Sequence, residues 1–141
     1  MDKYNLKRFL DAQADSYTDA LHELETGQKR SHWMWFVFPQ FAGLGLSSTS
    51  QRYAIGSTAE ALEYLRHPML GARLLECTRA INRLEGLSAR RVFGTPDDMK
   101  LCSSMTLFEL VAGPNPEFGN ALEKYFGGRR DSRTLELVRR A

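Results

Sequence analysis

The chain has 141 residues, of which 43% are hydrophobic and 26% charged, and a formal net charge of +2. That size suits one domain around one core, the composition excludes global disorder, and the charge is too small to imply nucleic acid by itself. Two cysteines make no disulfide framework, and no apolar run reaches the roughly 18 residues of a membrane span. The expected setting is therefore soluble and cytoplasmic, with neither nucleic acid nor membrane as a partner.

Nearly every segment carries a helical pattern. Leu6, Phe9, Leu10 and Gln13 follow Asn5 as a short first helix. Ser16 and Asp19 have the form of a capping box. Tyr17, Ala20, Leu21 and Leu24 then share one face at helical spacing. Gly27 supplies the left-handed residue that ends such a helix. Next comes Trp33-Met34-Trp35-Phe36-Val37-Phe38, stopped by Pro39 and holding both tryptophans of the chain. Burying each of these large side chains is worth about 1.5–3 kcal/mol, so the other segments are expected to pack around them. Periodicity does not separate a buried helix from a buried strand here. With helical neighbours and no second strand to pair with, the stretch reads as helix. Gly43-Leu44-Gly45 and the run Ser47 to Ser50 read as a loop.

Ser57 and Glu60 form a second box, ahead of Ala61, Leu62 and Leu65. Pro68 fits the first position of the following helix. In that helix Leu70, Leu74, Cys77, Ile81 and Leu84 make one apolar seam. Gly86 ends it, and Ser88 to Phe93 makes a turn or two. Thr95-Pro96-Asp97-Asp98 has the residues of a helix start: Thr as cap, Pro at the first position, two acids against the dipole. The helix that follows runs to about Ala112 and is apolar on most sides, which marks it as central. Asn115-Pro116-Glu117 opens another, closed by Gly127-Gly128, and Asp131 or Ser132 caps a last short one. The expected fold is all-α: a compact single-domain bundle of about seven helices over residues 1–141.

Polar residues set into this apolar pattern are the candidates for chemistry. Ser104 follows Lys100 by one turn and Asp97 by two, on a helix that otherwise looks buried. Such a hydroxyl either bonds its own helix carbonyl or lines a polar pocket. His32 and Gln40 flank the aromatic stretch, and His32 reads as a cap or as an acid–base group. Trp33 and Trp35 read as core or as stacking surface. Aromatic rings near a His and a Lys suit a planar ligand with an anionic tail. The glycines of Gly43-Leu44-Gly45 let backbone amides approach an anion, without the spacing of a Walker loop or dinucleotide fingerprint. Arg129, Arg130 and Arg133 read as phosphate contacts or as surface charge. The histidines and cysteines have no metal-ligand spacing, and no Gly-x-Ser-x-Gly elbow is present.

The string His32-Trp33-Met34-Trp35-Phe36, continuing through Phe38-Pro39-Gln40 to Gly43-Leu44-Gly45, resembles the bacterial family called domain of unknown function 1810. So do Tyr53-Ala54-Ile55, Glu60-Ala61 with Tyr64-Leu65, and His67-Pro68 with Leu70-Gly71. Lys100 with Ser103 to Phe108, and Gly128 with Asp131 and Thr134-Leu135, extend the likeness over nearly the whole chain. The resemblance implies a mainly helical fold and no activity. Its matching positions include His32, Gln40, Lys100, Ser104 and Asp131, which packing alone does not require to be polar.

Together these observations give an expected site where the aromatic stretch meets the start of the Thr95 helix. His32 and Ser104 are its candidate catalytic residues, and Trp35, Gln40, Lys100 and Asp131 its candidate ligand contacts. The expected ligand is small, anionic and nucleotide-like, without metal or cofactor. The alternative is a non-catalytic protein-interaction module, in which the same polar residues are caps and core hydrogen bonds.

Overall fold

A computed structural model describes all of the chain, Met1 to Ala141. Its ten helices are α1 (Lys7–Gln13), α2 (Tyr17–Thr26), α3 (Met34–Val37), α4 (Ser48–Arg52), α5 (Thr58–Arg66), α6 (Leu70–Arg83), α7 (Ala89–Phe93), α8 (Asp97–Val111), α9 (Glu117–Phe126) and α10 (Ser132–Arg140). The only β-type pairing is one parallel bridge between Phe41 and Ile55. The all-α bundle expected from the sequence is what forms. Its helix count exceeds about seven because α3, α4 and α7 are one-turn helices of four or five residues.

The centre is α8, which packs against α5, α7, α9 and α10, while α6 packs against α2, α5 and α9. Leu101, Met105, Leu107 and Phe108 of α8 are fully buried. So are Leu70, Cys77 and Ile81 of the α6 seam. Burial pushes the Cys77 thiol up to about 12, which keeps it protonated and unreactive. Cys102 is only half-buried. Aromatic rings join the layers: Phe108 meets Tyr64 at 5.4 Å and Phe118 at 5.9 Å, and Phe9 meets Tyr64 edge-on at 5.0 Å.

Local signals act mostly where the sequence places them. Ser57 Oγ accepts from Glu60 N at 3.0 Å, and the Glu60 carboxylate reaches back to Gly56 N at 3.0 Å. Gly27 takes φ 84° and ends α2, as a left-handed cap must. Asp131 caps α10, accepting from Thr134 N at 3.1 Å.

Three expectations are corrected. Ser16 does not cap α2; its hydroxyl instead donates to Ala12 O at 2.7 Å. Thr95 does not cap α8, whose first amides are taken by backbone carbonyls: Asp98 N by Gly94 O, and Met99 N by Pro96 O. The serine run expected as loop forms α4, because Ser47 Oγ accepts from Ser50 N at 3.1 Å and so starts a turn. At the head of α6, His67 adds a cap beside Pro68. Its Nδ1 accepts from Met69 N at 3.1 Å and Leu70 N at 3.2 Å.

Candidate functional site

Glu23 organises the approach to the aromatic stretch. It lies on the buried side of α2, 7% exposed. Its carboxylate accepts from Arg30 N at 2.6 Å, Ser31 N at 2.9 Å, Ser31 Oγ at 2.5 Å and Trp33 Nε1 at 2.9 Å. Burial alone would raise its pKa, but the hydrogen bonds from Ser31, Arg30 and Trp33 outweigh burial and bring it to about 2. One carboxylate thus folds residues 28–33 and anchors Trp33 in the core. The sequence carries a faint signal for this role: an acid three residues after Ala20 and next to Leu24, on the apolar face.

The α3 turn sits beyond that anchor. Trp33, Met34, Val37 and Phe38 face inward, while Trp35 and Phe36 are half-buried. Two ammonium groups stand over the two indoles: Lys29 Nζ lies 5.1 Å from the Trp33 ring centre and Lys100 Nζ 5.2 Å from that of Trp35. Asp97 lies between them, 3.0 Å from Lys29 Nζ and 3.5 Å from Lys100 Nζ. Lys29 also donates to Ser31 O at 2.6 Å, so its ammonium is well engaged. Lys100 has the longer contact to Asp97 alone. Two cations against one carboxylate leave a local charge of about +1 beside an aromatic face, an arrangement that favours an anion.

Trp35 also walls a recess of about 110 Å³, together with Gln40, Gly43, Gly45, Ser50 and Tyr53. Past Pro39 the chain is extended. Ile55 N donates to Gln40 O at 2.9 Å, and Ala42 N donates to Ile55 O at 2.9 Å. The chain then turns at Gly43, where φ is +102°, a value open to glycine and costly for other residues. The backbone amides of Gly43, Leu44, Gly45 and Leu46 donate to no protein acceptor. A roomier hollow, about 780 Å³, lies elsewhere, between the first residues of the chain and the end of α5. It holds none of the sequence-predicted site residues, so volume alone does not select it.

The six predicted residues therefore separate. Trp35 and Gln40 share the recess, and Lys100 covers the Trp35 ring. His32 is exposed on the loop before α3 and does not line the recess. Ser104 is fully buried in α8, with no hydrogen-bond partner for its hydroxyl. Asp131 is engaged between α8 and α10, its Oδ2 accepting from Ser103 Oγ at 3.1 Å and from Thr134 Oγ1 at 2.5 Å, and its N–H donating to Thr106 Oγ1 at 2.9 Å. Sequence reasoning missed Lys29 and Tyr53 beside the site. The only signals for them were a basic residue before the tryptophans and an aromatic after the serine run. No three His, Cys, Asp or Glu side chains are grouped to hold a metal ion, and no helix is long and apolar enough to cross a membrane.

Comparison with known proteins agrees with this architecture. No curated protein matches the chain. The crystal structure of the conserved hypothetical protein Rv1873 from Mycobacterium tuberculosis superposes with a TM-score of 0.96 at 51% sequence identity, covering 98% of this chain and 99% of that one. Residues 3–138 match the description "Protein of unknown function (DUF1810)". The match takes in α1 to α9, the recess and most of α10, and the chain belongs to the DUF1810 family.

Proposed function

We propose that the protein binds a small anionic, nucleotide-like ligand, with its ring in the recess against Trp35 and its charge toward Lys100 and the Gly43–Leu46 amides. The observation that carries this reading is the double use of Trp35, which walls the recess beside Gln40 and underlies the Lys100 ammonium. A pocket that joins an aromatic wall to a few convergent polar groups is the usual form of a small-molecule site. The glycine loop adds amides with no acceptor of their own, suited to phosphate or carboxylate oxygens. Binding is the activity proposed, because neither His32 nor Ser104 lines the recess.

The large apolar side chains at the surface support a ligand site over a docking face. Leu46, Met69, Met99 and Leu110 are exposed on separate segments, as on ordinary protein surfaces. The weak net charge of +2 argues against nucleic acid as the partner. Two unpaired cysteines support a reducing, cytoplasmic setting.

A thermal-shift screen of nucleotides and phosphorylated metabolites tests the reading. A true ligand at a hundred times its dissociation constant should add about 2.7 kcal/mol of stability. Trp35→Leu and Lys100→Met should each reduce that gain. A folded sample that responds to none of these compounds at millimolar concentration refutes the reading.

A further inference from the structure

The recess beside Trp35 is no roomier than a single ring needs, and the lining residues Gln40, Ala42 and Tyr53 are held by backbone hydrogen bonds or ring packing. Its volume of about 110 Å³ compares with roughly 150 Å³ for an engineered protein cavity that holds a single benzene. A pyrimidine base is one six-membered ring with small substituents, while a purine fuses a second ring to it. Whether the recess discriminates between them depends on whether it can widen.

Its surroundings oppose widening. Gly45 lies so close to Ser50 that a Cβ there would sit 2.5 Å from the serine side chain. Ser50 is itself held by Ser47, whose hydroxyl lies 2.9 Å from Ser50 Oγ. The Tyr53 ring packs against Phe36 at 5.3 Å and Phe9 at 5.9 Å. Arg8 fixes the backbone on either side of Tyr53, donating to Arg52 O and Ala54 O at 2.8 Å each. On the opposite side, Gln40 and Ala42 are bonded to the Ile55 backbone. A second ring directed inward would have to displace a packed aromatic or break backbone hydrogen bonds.

Gln40 supplies the polar recognition. Gln40 lines the recess and its carboxamide has no hydrogen-bond partner in the protein, whereas the Gln51 amide donates to Leu46 O at 3.0 Å. An amide offers a donor and an acceptor side by side. Uracil and cytosine each present a complementary pair on one edge. Resting on the reading under Proposed function, we propose that the ligand is a pyrimidine nucleotide, its base held against Trp35 with its edge read by Gln40, and that purine nucleotides are excluded by size.

The test is a titration of the intact protein with UMP, CMP, AMP and GMP, followed by tryptophan fluorescence and by calorimetry. UMP or CMP is expected to bind at least about tenfold more tightly than either purine nucleotide, the ratio that forcing an extra ring into a packed site produces. AMP or GMP binding as tightly as the pyrimidines overturns this inference and leaves the anionic-ligand reading standing. Failure of all four to bind at millimolar concentration, with a different phosphorylated compound giving a shift, also overturns the inference alone. Failure of every compound overturns both. Gln40→Leu should weaken UMP or CMP binding by about tenfold while the ligand-free unfolding midpoint stays put. Unchanged pyrimidine binding in that variant removes Gln40 from the recognition.

Discussion

Replacing Ser104 with alanine is expected to stabilise this protein, and replacing its neighbour Ser103 to destabilise it. Both hydroxyls belong to α8 and both residues are buried. Ser103 Oγ has two partners, Met99 O at 3.2 Å and Asp131 Oδ2 at 3.1 Å. Ser104 Oγ has none. A buried hydroxyl without a partner costs about 1–3 kcal/mol in proteins. Alanine adds a few tenths through helix propensity. The missing oxygen leaves a void of about 10–15 Å³, which returns only about 0.3 kcal/mol. Ser104→Ala should therefore gain about 1–2 kcal/mol. For 141 residues the unfolding entropy is about 300 cal/mol/K, so the midpoint should rise by about 3–7 °C. Ser103→Ala should lose about 1 kcal/mol, the value of a typical buried hydrogen bond. Urea titrations of the two variants, with unchanged slopes, measure both. A Ser104→Ala protein less stable than the parent by 1 kcal/mol refutes the reasoning, since the hydroxyl would then be satisfied by an internal water. Retained ligand response in the same variant would separate Ser104 from binding.

Other expectations follow from single contacts. The Glu23 carboxyl is held near 2, below its ordinary value of 4.5, so its contribution is complete above pH 4.5 and is lost as pH falls through 2. Glu23→Gln should flatten that acid limb of the stability curve and cost about 2–3 kcal/mol at neutral pH, because an amide cannot accept all four of the bonds the carboxylate holds. Gly71→Ala should cost about 3 kcal/mol or more, since a Cβ there would sit 1.9 Å from Leu65 O, a backbone atom that cannot swing away. Arg8→Lys should cost about 2–3 kcal/mol in urea, as lysine cannot serve the carbonyls of Tyr4, Asn5, Arg52 and Ala54 together with Glu60.

Much of the helical frame is readable because its signals are local. The α6 seam needs only the spacing of Leu70, Leu74, Cys77 and Ile81. The Ser57–Glu60 box and the Gly27 cap each depend on a few neighbouring residues. Centrality of α8 follows from its all-round apolar surface. Capping is legible as composition and less so as partner choice: Ser16 and Thr95 are the right residue types, but neighbouring carbonyls took the bonds. The site is harder to read because its contacts are long-range. Nothing near Trp35 in sequence indicates that Lys100 will stand over it. Nothing near Asp131 indicates that Ser103 and Thr106 will engage it from another helix. An isolated polar residue at a resembling position looks the same in sequence whether it meets a ligand or ties two helices together.

The recess itself follows from an interruption of helix packing. Helices of this bundle fill space with interdigitated side chains, but α3 cannot continue, because Pro39 has no amide to donate. The chain instead extends to pair Phe41 with Ile55 and then turns on a left-handed glycine at position 43. A Cβ at Gly43 would meet the Leu137 side chain at 3.3 Å, and one at Gly45 would meet Ser50 at 2.5 Å. The two glycines thus let the loop lie close against α10 and α4 while Trp35 and Tyr53 hold the other side of the recess. Pro39, Gly43 and Gly45 are all visible in the sequence as breakers. Their joint effect, a hollow next to two aromatic rings with amides left unpaired, emerges only when Ile55 closes the loop from the other side. Breakers clustered directly after a buried aromatic run are thus a pointer in the sequence to where a helical bundle can leave a recess, and here that pointer falls on Gln40.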